Sequence, residues 1–208
     1  MEHGVRMNRM LLETKGLTIT VGEKTVLKEV NLSFFEKGLL AVLGENGAGK
    51  STLLKKIFHD SLTSPAWTWP SGKRKIAYLG HELGFYSSLS LEENLDYFAS
   101  LDGFHSMEKR MELLKLFRLE KRIWDPIHFF SRGMKQKVAI MRVLLSSAEI
   151  ILFDEPFTGL DFESSLVLSS ILNEEKKSKL ILTVLHSIPS ELECTGQILI
   201  RQGNVFVS

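Results

Sequence analysis

The stretch that most constrains this chain is Gly44-Glu45-Asn46-Gly47-Ala48-Gly49-Lys50-Ser51-Thr52. It satisfies G-x-x-x-x-G-K-[ST], the pattern of a phosphate-binding loop. The apolar run Leu39-Leu40-Ala41-Val42-Leu43 precedes it and reads as a buried strand, while Leu53, Leu54, Ile57 and Phe58 follow at helical spacing. A glycine-rich turn between strand and helix can curl so that successive N–H groups point inward at phosphate oxygens. The helix start adds the positive end of its dipole. Lys50 is placed to reach the β- and γ-phosphates, and Ser51 to ligand Mg²⁺. The motif alone implies a bound nucleoside triphosphate and leaves its use open.

Composition narrows the setting. The 208 residues are enough for one sizeable domain or a domain with a lobe. A net charge of +1 gives no argument for nucleic acid or for an anionic membrane surface. The single cysteine, Cys194, excludes an internal disulfide framework and fits a reducing compartment. The N-terminus lacks the apolar core of a signal peptide, and no run approaches the length that spans a bilayer. The expectation is a soluble cytoplasmic protein whose membrane role, if any, runs through partners.

Along the chain, Leu11 to Val21 and Val30 to Phe35 read as strands around the polar turn Gly22-Glu23-Lys24. The segment from Ser61 to Lys75 is turn-rich, with Trp67 and Trp69 read as local packing. Ile76 to Leu79 forms another strand. From Glu82 to Arg122 the pattern is mainly helical, with Leu91, Leu95 and Phe98 on one face and Met111, Leu114 and Phe117 on another. Asp125-Pro126 breaks it. A helix over Ser131 to Ser146 should bury Val138, Met141 and Leu145. Strands at Ile150 to Phe153, Leu180 to Val184, Gln197 to Ile200 and Val205 to Val207, with a helix after the first, complete the expectation. The alternation predicts an α/β fold: a P-loop core with a mainly parallel sheet, antiparallel edge strands and an inserted helical lobe. The core is expected over 1–80 and 147–208, the lobe over about 82–146, all within a single domain 1–208.

A second signal is Ile150-Ile151-Leu152-Phe153-Asp154-Glu155-Pro156. An apolar strand here ends in two acids at its C-terminal tip, where ligands of α/β sheets bind. Asp154 fits the Mg²⁺-side carboxylate, and Glu155 could polarise a water beside the γ-phosphate. A third signal is Phe130-Ser131-Arg132-Gly133-Met134-Lys135-Gln136-Lys137, where Ser131 can cap a helix whose free N–H groups face an anion.

With these motifs in order, the whole chain resembles the ATP-binding subunits of ABC transporters. That family's L-S-G-G-Q signature retains here Ser131 and Gly133, with Arg132 for the first glycine and Met134 for glutamine. Thr158-Gly159-Leu160-Asp161 matches its D-loop and His186 its switch histidine, while His81 stands where its Q-loop glutamine is usual. Val21 occupies the slot that often holds an adenine-stacking aromatic; Phe34 or Phe35 could supply a ring instead.

The resemblance implies ATP and Mg²⁺ as cofactors, and ATP hydrolysis with Glu155, His186 and His81 as catalytic residues. It implies a head-to-tail dimer in which Ser131 and Gly133 act on the partner copy's ATP. Multispanning membrane subunits would dock near His81 and the helical lobe, holding the protein on the inner face of the cell membrane. The absence of a long C-terminal extension points to a minimal exporter subunit. Tyr78-Leu79-Gly80-His81-Glu82-Leu83-Gly84 is similar to the cytochrome c biogenesis ATPases, which export haem; Ser131 to Gln136 looks more like drug- or polysaccharide-type exporters. Against a soluble non-transport ABC ATPase stands the lack of tandem domains or a long insertion. Against an inactive, binding-only form stand Glu155 and Lys50.

Overall fold

β6 (Ile150–Asp154) and β7 (Leu180–Val184) are buried at every position. Strands covered on both faces have no polar side to show, which explains their unbroken apolar sequences. They lie at the centre of a six-stranded sheet ordered β5-β6-β7-β3-β8-β9, with β3 at Gly38–Gly44, β5 at Ile76–Leu79, β8 at Gly196–Arg201 and β9 at Asn204–Val207. All neighbours pair parallel except β8 and β9. A separate three-stranded antiparallel sheet, β2-β1-β4, joins β1 (Met10–Val21), β2 (Lys24–Phe35) and β4 (Trp67–Thr68). The structure is a computed structural model that describes residues 9–208. The first eight residues, which belong to the expected core 1–80 and to the reading against a signal peptide, lie outside the described residues.

Successive strand residues point to opposite faces, and this alternation divides the core in two. Leu39, Ala41, Ile151, Phe153 and Ile181 join one cluster with residues of α2 (Leu91–Asp102), α3 (Met107–Leu116), α4 (Arg132–Leu144) and α5 (Phe162–Glu175). Val42, Ile150, Leu152, Leu182 and Val184 join the other, packed against α1 (Lys50–Asp60) and the antiparallel sheet. The sheet is thus a buried middle layer, as expected of an α/β fold. Trp67 is buried and Trp69 donates its indole N–H to the Ser61 carbonyl at 2.6 Å, so both tryptophans pack locally.

Several boundaries differ from the sequence expectation. β2 begins at Lys24, because its first residues pair with the end of β1 in a tight hairpin, Val21 opposite Lys24. β4 is two residues long, too short for alternation to reveal it. The helical stretch from Glu82 starts only at Leu91. There, Ser90 accepts from the Glu93 N–H and donates its own N–H to the Glu93 carboxylate, which fixes the first turn. Asn94 is fully buried and holds the preceding loop open, accepting from the Tyr86 N–H and donating to the carbonyls of Tyr86, Leu89 and Ser90. Gly103 then ends α2 in the left-handed conformation. On α3 the buried face is Leu113 and Leu114, with Met111 exposed; on α4 Leu144 is buried, and Leu145 is the half-buried C-cap.

Candidate nucleotide site

The phosphate loop joins β3 to α1. Gly44 and Gly49 both have positive φ, and a side chain on Gly44 would run into the Ile200 carbonyl. The turn therefore requires glycine on grounds of conformation and of close approach. α2, α3, α4 and α5 each carry a side-chain cap, from Ser90, Ser106, Ser131 and Asp161, whereas α1 begins at Gly49 with none. The first N–H groups of α1 are left for an anion. Lys50 is buried and donates to the carbonyls of Gly44 at 2.8 Å and Glu45 at 3.0 Å, folded over the loop it serves.

A cavity of about 580 Å³ opens over this loop. Asn46, Gly47, Gly49, Lys50, Ser51 and Thr52 line its floor, with Glu155, His186 and His81 on its wall. Gly44, Glu45 and Ala48 do not line it; they form the underside of the turn, where the Ala48 N–H donates to Glu45 O. Ser51 Oγ donates to Asp154 Oδ1 at 2.9 Å, and the Asp154 side chain has no exposed surface. A hydroxyl beside a buried carboxylate is a hard-oxygen donor pair of the kind that suits Mg²⁺, so these residues fit that ion. Tyr78 donates its hydroxyl to Asp154 Oδ2 at 3.3 Å. Burial, followed by the Asp154 charge and this hydrogen bond, pushes the Tyr78 phenol well above its usual range and keeps it a donor.

Glu155 adopts a left-handed backbone conformation, φ 56°, immediately after β6. Its N–H still bonds the Val184 carbonyl, and its Oε1 lies 3.2 Å from His186 Nε2. The strand end turns Glu155 away from Asp154, so adjacent acids take different tasks: one beside Ser51, the other beside His186.

Ser131 and Gly133 lie elsewhere. Ser131 is exposed and caps α4, accepting from the Met134 N–H at 3.2 Å. A Cβ on Gly133 would sit 2.8 Å from the Gly159 carbonyl, so glycine permits α4 to abut the loop after Glu155. Gln136 donates to the Pro156 carbonyl at 3.0 Å, and Lys137 pairs with Asp161 at 3.0 Å. Asp161 is held far below the usual carboxylate range by the Ser164 N–H and by Lys137. The motif pattern did not foretell this strap, because it depends on long-range placement of ordinary polar side chains.

At the remaining side of the cavity stand Val21, Lys24 and Val26. Phe34 is buried in the core, and Phe35 pairs with Met10 at the opposite end of the hairpin. Neither ring reaches Val21, which corrects the expectation that one of them could fill its place. A second groove, of about 520 Å³, lies between β5, α2 and α4, lined among others by Tyr78, Phe98, Leu101, Phe104 and Arg142. Arg142 spans it, donating to the Leu83 carbonyl at 2.9 Å with its guanidinium over the Phe98 ring.

The profile of the ABC transporter family matches residues 27–158. The chain belongs to the ABC transporter ATP-binding family. It binds ATP and is an ATPase, as members of that family are. It is 34% identical over 199 residues to the ABC transporter ATP-binding protein NatA of Bacillus subtilis (strain 168), covering 86% of this chain and 79% of that protein. It is 30% identical over 203 residues to the cytochrome c biogenesis ATP-binding export protein CcmA of Chelativorans sp. (strain BNC1), covering 94% and 100%. A zinc import ATP-binding protein, ZnuC of Vibrio vulnificus (strain YJ016), is 28% identical over 95% of this chain and 76% of its own length. Among solved structures, an ATP-binding subunit of an ABC transporter superposes with a TM-score of 0.81 at 32% identity, over 95% of this chain and 89% of that one.

Proposed function

We propose that this ABC ATPase powers export through partner membrane subunits, working as a head-to-tail pair of identical chains. The observation that carries the pairing is the separation of its parts. Lys50, Ser51, Asp154, Glu155 and His186 gather around one cavity, while Ser131 and Gly133 sit on an exposed helix start outside that lining. In this reading the loop from Gly44 to Thr52 holds the triphosphate, and Ser51 with Asp154 holds Mg²⁺, which neutralises phosphate charge. Glu155 takes a proton from, or orients, the attacking water; His186 holds Glu155 in place beside the γ-phosphate; His81 borders the metal side. The partner copy's Ser131 hydroxyl and Gly133 N–H close the site. The core 1–80 with 147–208 and the lobe 82–146 then approach each other as ATP is sandwiched.

The described residues include no helix long and apolar enough to cross a membrane. We place the protein on the inner face of the cell membrane, held by subunits that dock near His81 and the helical lobe, with the groove beside Tyr78 and Arg142 as their seat. Haem export in cytochrome c maturation is the favoured cargo reading. It is supported by the stretch from Tyr78 to Gly84 and by the match to CcmA across that protein's whole length. The stretch from Ser131 to Gln136 keeps a drug- or polysaccharide-type exporter, and the zinc import relative ZnuC an importer, as the readings to beat. Affinity capture from detergent-solubilised membranes should yield a multispanning protein, and deletion of the gene should abolish haem-containing c-type cytochromes. Normal cytochrome c with a captured partner would overturn the haem reading alone; no membrane partner would overturn the transport reading.

A further inference from the structure

Tyr78 stands opposite Leu152 in the parallel pairing of β5 with β6, and its side chain reaches along the strand to Asp154. Its ring packs on Phe58 of α1, with centroids 5.4 Å apart. A Cβ on Gly80 would lie 2.8 Å from this ring and from its hydroxyl, so glycine at 80 leaves the space that the ring occupies. The hydroxyl then donates to Asp154 Oδ2 at 3.3 Å, while Ser51 donates to Oδ1 at 2.9 Å. His81 Nε2 lies 3.6 Å from the same Oδ2, on a side chain 61% exposed, and does not come within hydrogen-bonding distance. We propose that Tyr78 is a positioning residue for the cation: its hydroxyl fixes the rotation of the Asp154 carboxylate, which in turn aims the Ser51 oxygen into the nucleotide cavity.

The proposal rests on the reading of Ser51 and Asp154 as the Mg²⁺ pair. The Asp154 side chain has no exposed surface, so protein donors rather than bulk water set its orientation. With Oδ2 held by Tyr78, Oδ1 is turned to accept from Ser51. A hydroxyl whose proton is committed to a carboxylate has its lone pairs left for another partner, and Ser51 lines the cavity. Mg²⁺ demands near-ideal geometry from its oxygen donors. A carboxylate free to rotate would leave the Ser51 proton without a fixed acceptor and its lone pairs without a fixed direction. Groups hydrogen-bonded to metal-binding side chains tune metal affinity in this way.

The test titrates a non-hydrolysable ATP analogue into the full chain by calorimetry, once with EDTA and once with saturating Mg²⁺. It compares the native protein with Tyr78→Phe, which keeps the ring and removes only the hydroxyl. In the native protein Mg²⁺ should tighten the analogue. In Tyr78→Phe that gain should shrink about tenfold, the scale on which such outer groups act, while affinity in EDTA stays at the native value. An undiminished gain overturns the proposal. So does an equal loss of affinity with and without Mg²⁺, because the hydroxyl would then shape the cavity as a whole rather than the cation pair. If Mg²⁺ fails to tighten the analogue in the native protein, the reading of the Mg²⁺ pair fails and takes the proposal with it. That failure shows in the native titrations, whereas failure of the positioning role alone shows only in the variant.

Discussion

Lys50 and Ser131 each stand at the start of a helix, and their surroundings differ. Lys50 is buried, bonded to two carbonyls, and within a cavity shared with Glu155, His186 and Ser51. Its helix has no side-chain cap, so its N–H groups wait for phosphate. Ser131 is exposed, and its helix is capped by its own hydroxyl. The first site can hold a ligand within one chain. The second lies outside that cavity, at the exposed start of its helix. What ties them is the strap from Gly133, Gln136 and Lys137 to the loop of Pro156, Gly159 and Asp161, just after Glu155.

The comparison breaks most sharply at Glu155. Glu155→Gln keeps size and hydrogen bonding but loses basicity. Turnover should fall by about 10²–10⁴-fold, the usual range for a positioned acid–base group, while ATP binding persists and a closed ATP dimer accumulates. Phosphate release and gel filtration with ATP read the two effects; unchanged turnover would remove Glu155 from the chemistry.

Lys50→Ala comes next. Loss of a fixed cation aimed at phosphate should cut turnover by about 10²–10³-fold and weaken MgATP binding, measured by equilibrium titration. Unchanged values in both would leave the loop without a function.

Ser131→Arg probes the other side of the comparison. Bulk and charge should stop hydrolysis while the variant's own loop still binds ATP. The lost cap costs stability of about 1 kcal/mol, so a melting curve checks that the fold survives. Neither Ser131→Arg nor Lys50→Ala should turn over alone, yet their mixture should regain activity, because a mixed dimer has one interface with an intact loop and an intact Ser131. No recovery, with both variants folded, would place Ser131 outside the nucleotide site.

The parts of this molecule that were legible in sequence are those in which chemistry fixes residue type at fixed spacing. The phosphate loop, the strand ending in Asp154 and Glu155, and the Ser131 cap all lie where their patterns put them. The parts that were not legible depend on partners far away in the chain. Asn94 reads as an ordinary helical polar residue until its four hydrogen bonds to the preceding loop are seen. Tyr78 reads as a strand aromatic, and only the parallel pairing of β5 with β6 carries its hydroxyl to Asp154. Met111 fits the helical period, but α3 turns Leu113 and Leu114 inward instead.

The smallest expected effect concerns Val21. It is 57% exposed at the hairpin tip, opposite Lys24, and with Val26 these residues form the side of the cavity away from Glu155 and His186. The hairpin packs close to the loop: a Cβ on Gly49 would lie 2.8 Å from Val26 Cγ1. A base lying there meets aliphatic edges and a lysine stem, whereas stacking on an aromatic ring is worth about 1–3 kcal/mol per base. Binding therefore leans on triphosphate contacts, which every nucleoside triphosphate offers alike. GTP should compete with ATP within about tenfold, or about 1.4 kcal/mol. Val21→Tyr should tighten ATP and leave the chemical step little changed, since Glu155 and His186 are untouched. Competition binding on the native chain and on Val21→Tyr decides it. With Phe34 buried and Phe35 at the far end of the hairpin, no ring of β2 can take the place of the missing one. Strong ATP selectivity in the native chain, with no gain from tyrosine, would mean that the base is read by a group on the partner copy, and the loop-bearing side would not be self-contained after all.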